Sequence, residues 1–204
     1  MAGGAVHTGS PAGRPRGIRT KSAWLLALPF LVLARPTAQA IWTGALLAVA
    51  GLLLRGWAAG TIRKDESLTT TGPYAHLRHP LYVGSLLVGI GLGIAGGHWL
   101  WPALVAFFFA AVYRRTLADE RERLRGLFGE RYLTYAARVP AVVPRLRPYR
   151  RAADPAAAAD GGDVAGAPAG GFTWARYLRN REWEALLGVA AALALLAAKA
   201  LLLA

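Results

Sequence analysis

The stretch GPYAHLRHPLYVG, residues 72–84, holds the side chains of this chain that are best suited to chemistry. It carries the cation Arg78, the imidazole of His79 and two tyrosines, and a long uncharged run follows it. A second polar block, DERERLRGLFGERYLTYAAR, begins at Asp119 on the far side of that run. An imidazole and a carboxylate can both accept a proton. If the run between them folds back on itself, His79 and Glu120 could share one pocket and both be available for proton transfer there.

The uncharged run from Pro80 to Tyr113 has the length that such folding requires. Its roughly 34 residues would make about 50 Å of helix, too long for one crossing of a 30 Å hydrocarbon core. We therefore predict a helical hairpin that turns at Gly96-Gly97-His98. Pro80 suits the first turn of a helix, because the N–H that proline lacks would be unpaired there.

The composition indicates a small integral membrane protein. The chain has 204 residues, is 55% hydrophobic and carries a formal net charge of +13. Nucleic-acid binding is the alternative for so basic a chain, but the cations are separated by long uncharged runs instead of being gathered on one soluble module. The absence of cysteine excludes disulfides, thiolate metal sites and cysteine nucleophiles.

The predicted fold class is all-α: a polytopic membrane protein with about five transmembrane helices and a cytoplasmic catalytic region, followed by an extra membrane helix. Besides the hairpin, membrane helices are expected at Ala23–Ala34 and Thr37–Ile62. The segment Asp119–Arg138 is amphipathic and is expected to lie at the headgroup level. Four parts result: a disordered basic arm at 1–21, the membrane core at 22–149, a flexible linker at 150–171 and a C-terminal membrane helix at 172–204.

The distribution of cations predicts the orientation. With the N-terminus inside and five crossings, the cytoplasmic loops hold about 21 of the 24 Lys and Arg residues. Both polar blocks then lie on the cytoplasmic side. The richness in Ala, Gly and Arg is typical of a high-GC bacterium, so the predicted location is a bacterial inner membrane.

Three other interpretations of the polar blocks compete with a shared pocket of His79 and Glu120. Arg78 and His79 could be headgroup anchors, with Asp119–Arg131 as a solvated face. A metal site at His76 and His79 is disfavoured, because Arg78 would place a cation beside the metal. Hydrolysis by a serine triad is disfavoured too, since no serine lies in a nucleophile elbow.

The two blocks together resemble the isoprenylcysteine carboxyl methyltransferase and phospholipid methyltransferase family of integral membrane enzymes. That family shows G-x-Y-x-x-x-R-H-P-x-Y-x-G, a short helical hairpin, an acidic pair leading to F-G-x-x-Y-x-x-Y, and a V-P ending. The similarity covers Leu52 to Pro144. It implies methyl transfer from S-adenosylmethionine to a lipophilic acceptor at the cytoplasmic membrane face. It implies no metal and no nucleic acid, with membrane lipids and a lipophilic or lipid-modified substrate as partners.

The resemblance also implies the site residues. Those expected to bind the cofactor are Glu66, Ser67, Leu68, Thr69, Tyr74, His79, Pro80, Leu81, Tyr82 and Glu120. The residues expected to take part in catalysis are Arg115, His79 and Glu120. Arg115, or Arg114 beside it, would attract an anionic group of the acceptor.

The acceptor itself is left open by the sequence. The carboxylate of an isoprenylcysteine-like compound is nucleophilic at neutral pH and needs only positioning, whereas a lipid amine needs a proton acceptor, for which His79 and Glu120 are the candidates. The chain also departs from the family pattern. Arg121 replaces the second carboxylate of the acidic pair, Glu66 stands where a neutral residue or histidine is usual, and the part after Arg150 has no counterpart.

Two other functions stay open at this point. Sterol reductases show a similar R-H-P-x-Y-x-G block and bind a reduced nicotinamide cofactor, but they usually have more membrane spans ahead of it. A membrane scaffold without enzymatic activity, whose basic arm attracts anionic lipid, is the non-enzymatic alternative.

Overall fold

The computed structural model describes residues 28–63, 67–150 and 171–203. In chain order the elements are α1 (Ala38–Thr61), a short 3-10 helix (Gly72–Ala75), α2 (Pro80–Ala95), α3 (Leu100–Arg138), α4 (Trp174–Arg179) and α5 (Trp183–Leu203). Residues 28–33 are also helical and fall in a separate compact unit that ends at Ala34. No strand occurs in the described ranges, so the all-α prediction is confirmed there.

The number of membrane-spanning helices differs from the prediction. Within the described parts of the chain, three helices are long and apolar enough to cross a membrane, namely α1, α3 and α5. The apolar helix α2 has 16 residues, fewer than the roughly 20 that a crossing requires. The structure thus supports an all-α membrane protein but not a count of five spans.

Several predicted segments lie wholly or partly outside the described residues. These are the basic arm at 1–21, most of the linker at 150–171 and the first part of the predicted span Ala23–Ala34.

Helix α1 begins and ends close to the predicted limits. The hydroxyl of Thr37 accepts a hydrogen bond from the N–H of Ala40 at 3.2 Å, which caps the helix after Pro36. The helix ends where Ile62 becomes extended. Its 24 residues measure about 36 Å, enough for the hydrocarbon core.

The predicted hairpin is present, with its turn between Ala95 and Leu100. Pro80 occupies the first turn of α2, as expected from its missing N–H. At the turn Gly97 has φ 81°, a conformation that favours glycine. The turn also lies against backbone, since the N–H of Arg35 donates to the carbonyl of Gly96 at 2.9 Å. The second polar block therefore returns toward the first.

Helix α3 does not stop where the composition changes at Asp119. It continues from Leu100 to Arg138, 39 residues, so the predicted amphipathic segment is a continuation of the apolar helix. Gly129 interrupts the helix with φ 51° and ψ −131°. Such a conformation is open essentially only to glycine. The last nine residues of α3 are therefore redirected relative to the apolar part.

Helices α1 and α2 pack through glycines spaced seven residues apart on both helices, at 44 and 51 and at 84 and 91. A Cβ on Gly91 would lie 2.6 Å from the carbonyl oxygen of Gly44, and a Cβ on Gly51 would lie 2.7 Å from that of Gly84. Only glycine permits backbones this close. This contact fixes the start of α2 against the last turns of α1.

Candidate active site

The loop between α1 and α2 contains a short 3-10 helix, which begins at a position that only glycine fits comfortably. Gly72 has φ 59° and starts the 3-10 helix, with Pro73 in its first turn. A Cβ there would approach the side chain of Thr61 to 3.0 Å. The loop thus rests on the carboxyl end of α1.

A segment after α3 holds this loop from the other side. The segment, residues 139–149, pairs with loop residues 75–79 through four backbone hydrogen bonds. They run from Arg78 N–H to Pro140 at 2.9 Å, His79 N–H to Ala141 at 3.2 Å, Arg145 N–H to His76 at 3.0 Å and Tyr149 N–H to Ala75 at 2.9 Å. His76 Nδ1 also lies 2.8 Å from the carbonyl oxygen of Arg145. His76 is therefore engaged in structure.

An aromatic cluster lies behind the loop. Tyr132, Tyr135 and Val139 are buried, and the hydroxyl of Tyr135 donates to the carbonyl of Tyr74 at 2.6 Å. The hydroxyl of Tyr132 accepts a hydrogen bond from the Arg78 guanidinium at 3.3 Å. The redirected end of α3 thus fixes the backbone of the first polar block.

The hydroxyl of Tyr74 is buried, yet it has no hydrogen-bond partner within the described part of the chain. The side chain is only 6% exposed. Burial raises the pKa of this phenol well above its usual range, and the charges of Tyr135, Glu182, Tyr82 and Glu120 raise it further, in that order. Tyr74 is therefore a neutral hydroxyl, within electrostatic range of two carboxylates from distant parts of the chain.

His79 precedes the first residue of α2 and is buried, with 7% of its surface exposed. Burial and, to a smaller extent, the charge of Arg78 lower the pKa of the imidazole from 6.5 to about 4. The ring is therefore neutral at pH 7. It lies 5.7 Å from the ring of Tyr82, measured between centroids.

Aromatic rings continue from His79 across the hairpin. Tyr82 meets Tyr113 edge to face at 4.9 Å, and Tyr113 stacks on Phe109 at 3.7 Å. These rings join the beginning of α2 to the middle of α3. Tyr113 and Glu120 are seven residues apart on α3, so they lie on the same face of the helix.

Glu120 is partly buried, with 30% of its side chain exposed. Its carboxylate is 3.8 Å from a guanidinium nitrogen of Arg123, which is a loose ion pair. Arg115 is exposed and lies on the side of α3 opposite Tyr113 and Glu120, because two residues rotate a helix by about 200°. Arg114 is exposed as well. The structure thus brings Glu120 toward the site but leaves the predicted arginines at the surface.

The other residues expected to bind the cofactor are distributed unevenly. Glu66 lies outside the described residues, and Ser67 is partly buried. Leu68 packs against the aromatic cluster, and the Thr69 hydroxyl accepts a hydrogen bond from the N–H of Arg63 at 3.1 Å. Pro80 is buried, and the carbonyl of Leu81 accepts a hydrogen bond from Ser85 at 2.8 Å.

Two charged residues near the site were not predicted to belong to it. Arg55 in α1 forms an ion pair with Glu182, which lies between α4 and α5. A lone charge inside an apolar helix commonly has a functional partner, and this was the signal in the sequence. The described residues contain no group of three or more His, Cys, Asp or Glu side chains that could hold a metal ion.

These helices and the polar site at their ends define an all-α integral membrane protein. The chain matches the phospholipid methyltransferase family over residues 38–131, which include both polar blocks up to Arg131. It belongs to this family of membrane methyltransferases, and isoprenylcysteine O-methyltransferases are also similar to this chain in sequence.

Three relatives illustrate the range of similarity. The cobalt-zinc-cadmium resistance protein CzcN of Cupriavidus metallidurans is 32% identical over 169 residues, which cover 74% of this chain and 78% of the relative. The nickel-cobalt-cadmium resistance protein NccN of Alcaligenes xylosoxydans xylosoxydans is 37% identical over 118 residues, covering 53% and 55%. The protein-S-isoprenylcysteine O-methyltransferase B of Arabidopsis thaliana is 37% identical over 89 residues, covering 41% and 43%.

The chain thus spans just over half of the NccN protein and less than half of the Arabidopsis enzyme. No solved structure matches it significantly.

Proposed function

We propose that the protein transfers a methyl group from S-adenosylmethionine to a lipophilic acceptor at the cytoplasmic face of the membrane. Methyltransferase activity follows from the family. The observation that carries the finer proposal is the buried hydroxyl of Tyr74, which has no hydrogen-bond partner among the described residues and experiences the charges of Glu182 and Glu120. A buried hydroxyl without a partner is costly unless a ligand pairs with it.

The polar and aromatic groups of the site suit S-adenosylmethionine. The ligand presents an ammonium group, ribose hydroxyls and a cationic sulfur, and the site offers a carboxylate at Glu120, a neutral phenol at Tyr74 and the aromatic face of Tyr82. Carboxylates form strong charge-assisted hydrogen bonds with ammonium groups, and aromatic faces attract cations. When bound, the ligand supplies a methyl group already activated on a positively charged sulfur.

The residues of this chain would then act mainly by positioning. Tyr74 and Glu120 would hold the donor, while Tyr82, Tyr113 and Phe109 would exclude water on the side of the hairpin. The aromatic rings lie on α2 and α3, and α3 is long and apolar enough to cross the membrane, so an apolar acceptor would enter laterally from the bilayer.

The lowered pKa of His79 favours a carboxylate as the methyl acceptor. An imidazole with a pKa of about 4 is a weak base, so His79 is poorly suited to deprotonate an ammonium group. The other candidate base, Glu120, is assigned to the ammonium group of S-adenosylmethionine in this proposal. A carboxylate acceptor is nucleophilic at neutral pH and needs no base. We therefore propose methyl ester formation on an acceptor of the isoprenylcysteine type.

The metal-resistance names of two relatives do not change this proposal. The described residues lack a cluster of ligands for a metal ion, whereas the family match and the site residues concern methyl transfer. Membrane lipids and a lipophilic substrate remain the proposed partners, and a bacterial inner membrane remains the proposed location.

Titration of the purified protein in lipid nanodiscs tests the cofactor. We expect S-adenosylmethionine to bind and NADPH not to bind. Glu120→Ala should weaken binding about 10-fold or more, the loss typical of a charge-assisted hydrogen bond. Glu122→Ala, on the exposed side of the same helix, is the matched control. Binding of NADPH alone would support a reductase and contradict the proposal.

Transfer of labelled methyl groups into a lipid extract of the native host tests the acceptor. A methyl ester releases labelled methanol in mild base, whereas an N-methyl group is stable there. Label that resists base would show that the acceptor is an amine and would refute ester formation.

A further inference from the structure

The only charged residue of α1 is held by the C-terminal part of the chain. Arg55 Nε lies 2.9 Å from Glu182 Oε2, and its Nη2 lies 2.8 Å from Glu182 Oε1, so the pair is bidentate. The side chain of Glu182 is 10% exposed and that of Arg55 23%. Planar bidentate contact fixes both distance and direction. Glu182 thus orients the guanidinium.

The remaining nitrogen of that guanidinium reaches the first turns of α2. Arg55 Nη1 donates a hydrogen bond to the hydroxyl of Ser85 and lies 3.5 Å from the carbonyl oxygen of Leu81. Gly84 makes room for this contact, since a Cβ there would lie 2.6 Å from Arg55 Cγ. The arginine therefore joins Glu182 to the beginning of α2.

The beginning of α2 carries the candidate site. His79 immediately precedes this turn, and its carbonyl accepts hydrogen bonds from the N–H groups of Tyr82 and Val83, each at 3.1 Å. A shift of the turn would therefore move both the imidazole of His79 and the ring of Tyr82.

Glu182 is itself held firmly in place. The segment before it caps the carboxyl end of α1, where the last carbonyls of a helix lack partners within the helix. The capping contacts run from Thr173 N–H to Gly60 at 2.9 Å, from Asn180 Nδ2 to Ala59 at 2.8 Å and from Arg176 Nη1 to Thr61 at 2.8 Å.

We propose that Glu182 is a positioning residue of the methyl-donor site: it holds Arg55 so that Arg55 fixes the first turn of α2, and with it His79 and Tyr82. The inference rests on the proposed function for the identity of the donor, but its geometry does not. Glu182 lies beyond residues 38–131, so the segment that follows the family match completes the site. The charge of Glu182 helps to raise the pKa of buried Tyr74, which agrees with a position of Glu182 near the candidate site.

Three variants test the proposal in the full-length protein. Glu182→Gln keeps the size of the side chain but removes the charge that orients Arg55. Ser85→Ala removes the hydroxyl on α2 that accepts a hydrogen bond from Arg55 and leaves the ion pair intact. Glu184→Gln is the matched control, because Glu184 is 47% exposed and pairs only with Arg181 among the described contacts.

Two measurements are made on each variant. Hydrogen exchange should be about 10-fold faster at the amides of Tyr82 and Val83 in both Glu182→Gln and Ser85→Ala, and unchanged near Gly96 at the other end of α2. The dissociation constant of S-adenosylmethionine should rise about fivefold in the same two variants, with no change for Glu184→Gln.

The outcomes separate this inference from the proposed function. Unchanged exchange at Tyr82 and Val83 in Glu182→Gln would overturn the inference, whether or not the donor binds. Faster hydrogen exchange confined to residues 173–180, with the dissociation constant of S-adenosylmethionine unchanged, would show that Glu182 is a purely structural anchor. That result would also overturn the inference. Faster exchange at α2 in a protein that binds no donor would support the role toward α2 and refute the proposed cofactor.

Discussion

Replacing Tyr74 by phenylalanine should stabilise the ligand-free protein while weakening donor binding. The hydroxyl is buried and has no partner among the described residues. An unsatisfied buried polar group costs about 1–3 kcal/mol, and its removal recovers part of that. Because a donor molecule would pair with this hydroxyl, its loss should weaken binding about fivefold, equivalent to roughly one neutral hydrogen bond of about 1 kcal/mol.

Tyr135→Phe is the matched comparison. It removes the same atom from the same residue type a short distance away, but that hydroxyl donates to the carbonyl of Tyr74 at 2.6 Å. We therefore expect Tyr135→Phe to destabilise the protein by about 1–2 kcal/mol, the cost of leaving a buried acceptor unpaired. Opposite signs from two identical chemical changes are difficult to explain by a general effect on folding.

Both variants are measured by reversible unfolding in mixed micelles and by titration with S-adenosylmethionine. A loss of stability in Tyr74→Phe equal to that in Tyr135→Phe would show that the Tyr74 hydroxyl has a structural partner. Undiminished donor affinity in Tyr74→Phe would show that the hydroxyl does not face the ligand. Either result would refute the reasoning.

Three further predictions concern stability. Gly91→Ala should lower the free energy of unfolding by about 1–3 kcal/mol, because the new Cβ meets the backbone of α1. Gly89→Ala should lower it less, since its Cβ meets only the side chain of Val105. Unfolding measurements compare the two variants. Stability should fall as pH drops from 6.5 toward 4, because the unfolded chain binds a proton that buried His79 does not, and His79→Gln should flatten this pH profile. Gly129→Ala should destabilise the protein because of its positive φ, while Gly126→Ala, equally free of neighbours, should stabilise it by up to about 1 kcal/mol; equal effects in the same assay would contradict this.

The hairpin and α1 were predictable because local signals define them. The absence of charge from Pro80 to Tyr113 sets the length of the hairpin, and Gly97 marks a turn that needs positive φ. Proline at the start of α2 and Thr37 before α1 act within one helical turn. Such signals depend only on neighbouring residues, so a single sequence contains them.

The continuity of α3 was not predictable from composition. The change from apolar to charged residues at Asp119 indicates a change of surroundings, but none of the residues around it disrupts a helix. The backbone therefore continues as one helix until Gly129, where φ becomes positive. Composition reports what surrounds a helix more directly than where the helix ends.

Parts of the candidate site could not be predicted from the sequence either, because the residues that contact each other there are far apart along the chain. Arg55 is a lone charge within a predicted span, and only the fold shows that it pairs with a carboxylate 127 residues away. The predicted amphipathic segment ends at Arg138, and no local signal indicated that residues 139–149 pair with the loop before α2. Arg115 was expected to attract an anionic group of the acceptor, but the rotation of α3 places it on the side opposite Glu120.

The pairing of residues 139–149 with the loop before α2 also imposes an order on how the protein is made. The N–H of Tyr149 bonds to the carbonyl of Ala75, which leaves the ribosome more than seventy residues earlier. During synthesis the hairpin of α2 and α3 therefore emerges before the loop can acquire its last partners. Until residues 139–149 have been synthesised, the N–H groups of Arg78 and His79 lack the backbone partners that they have in the folded protein.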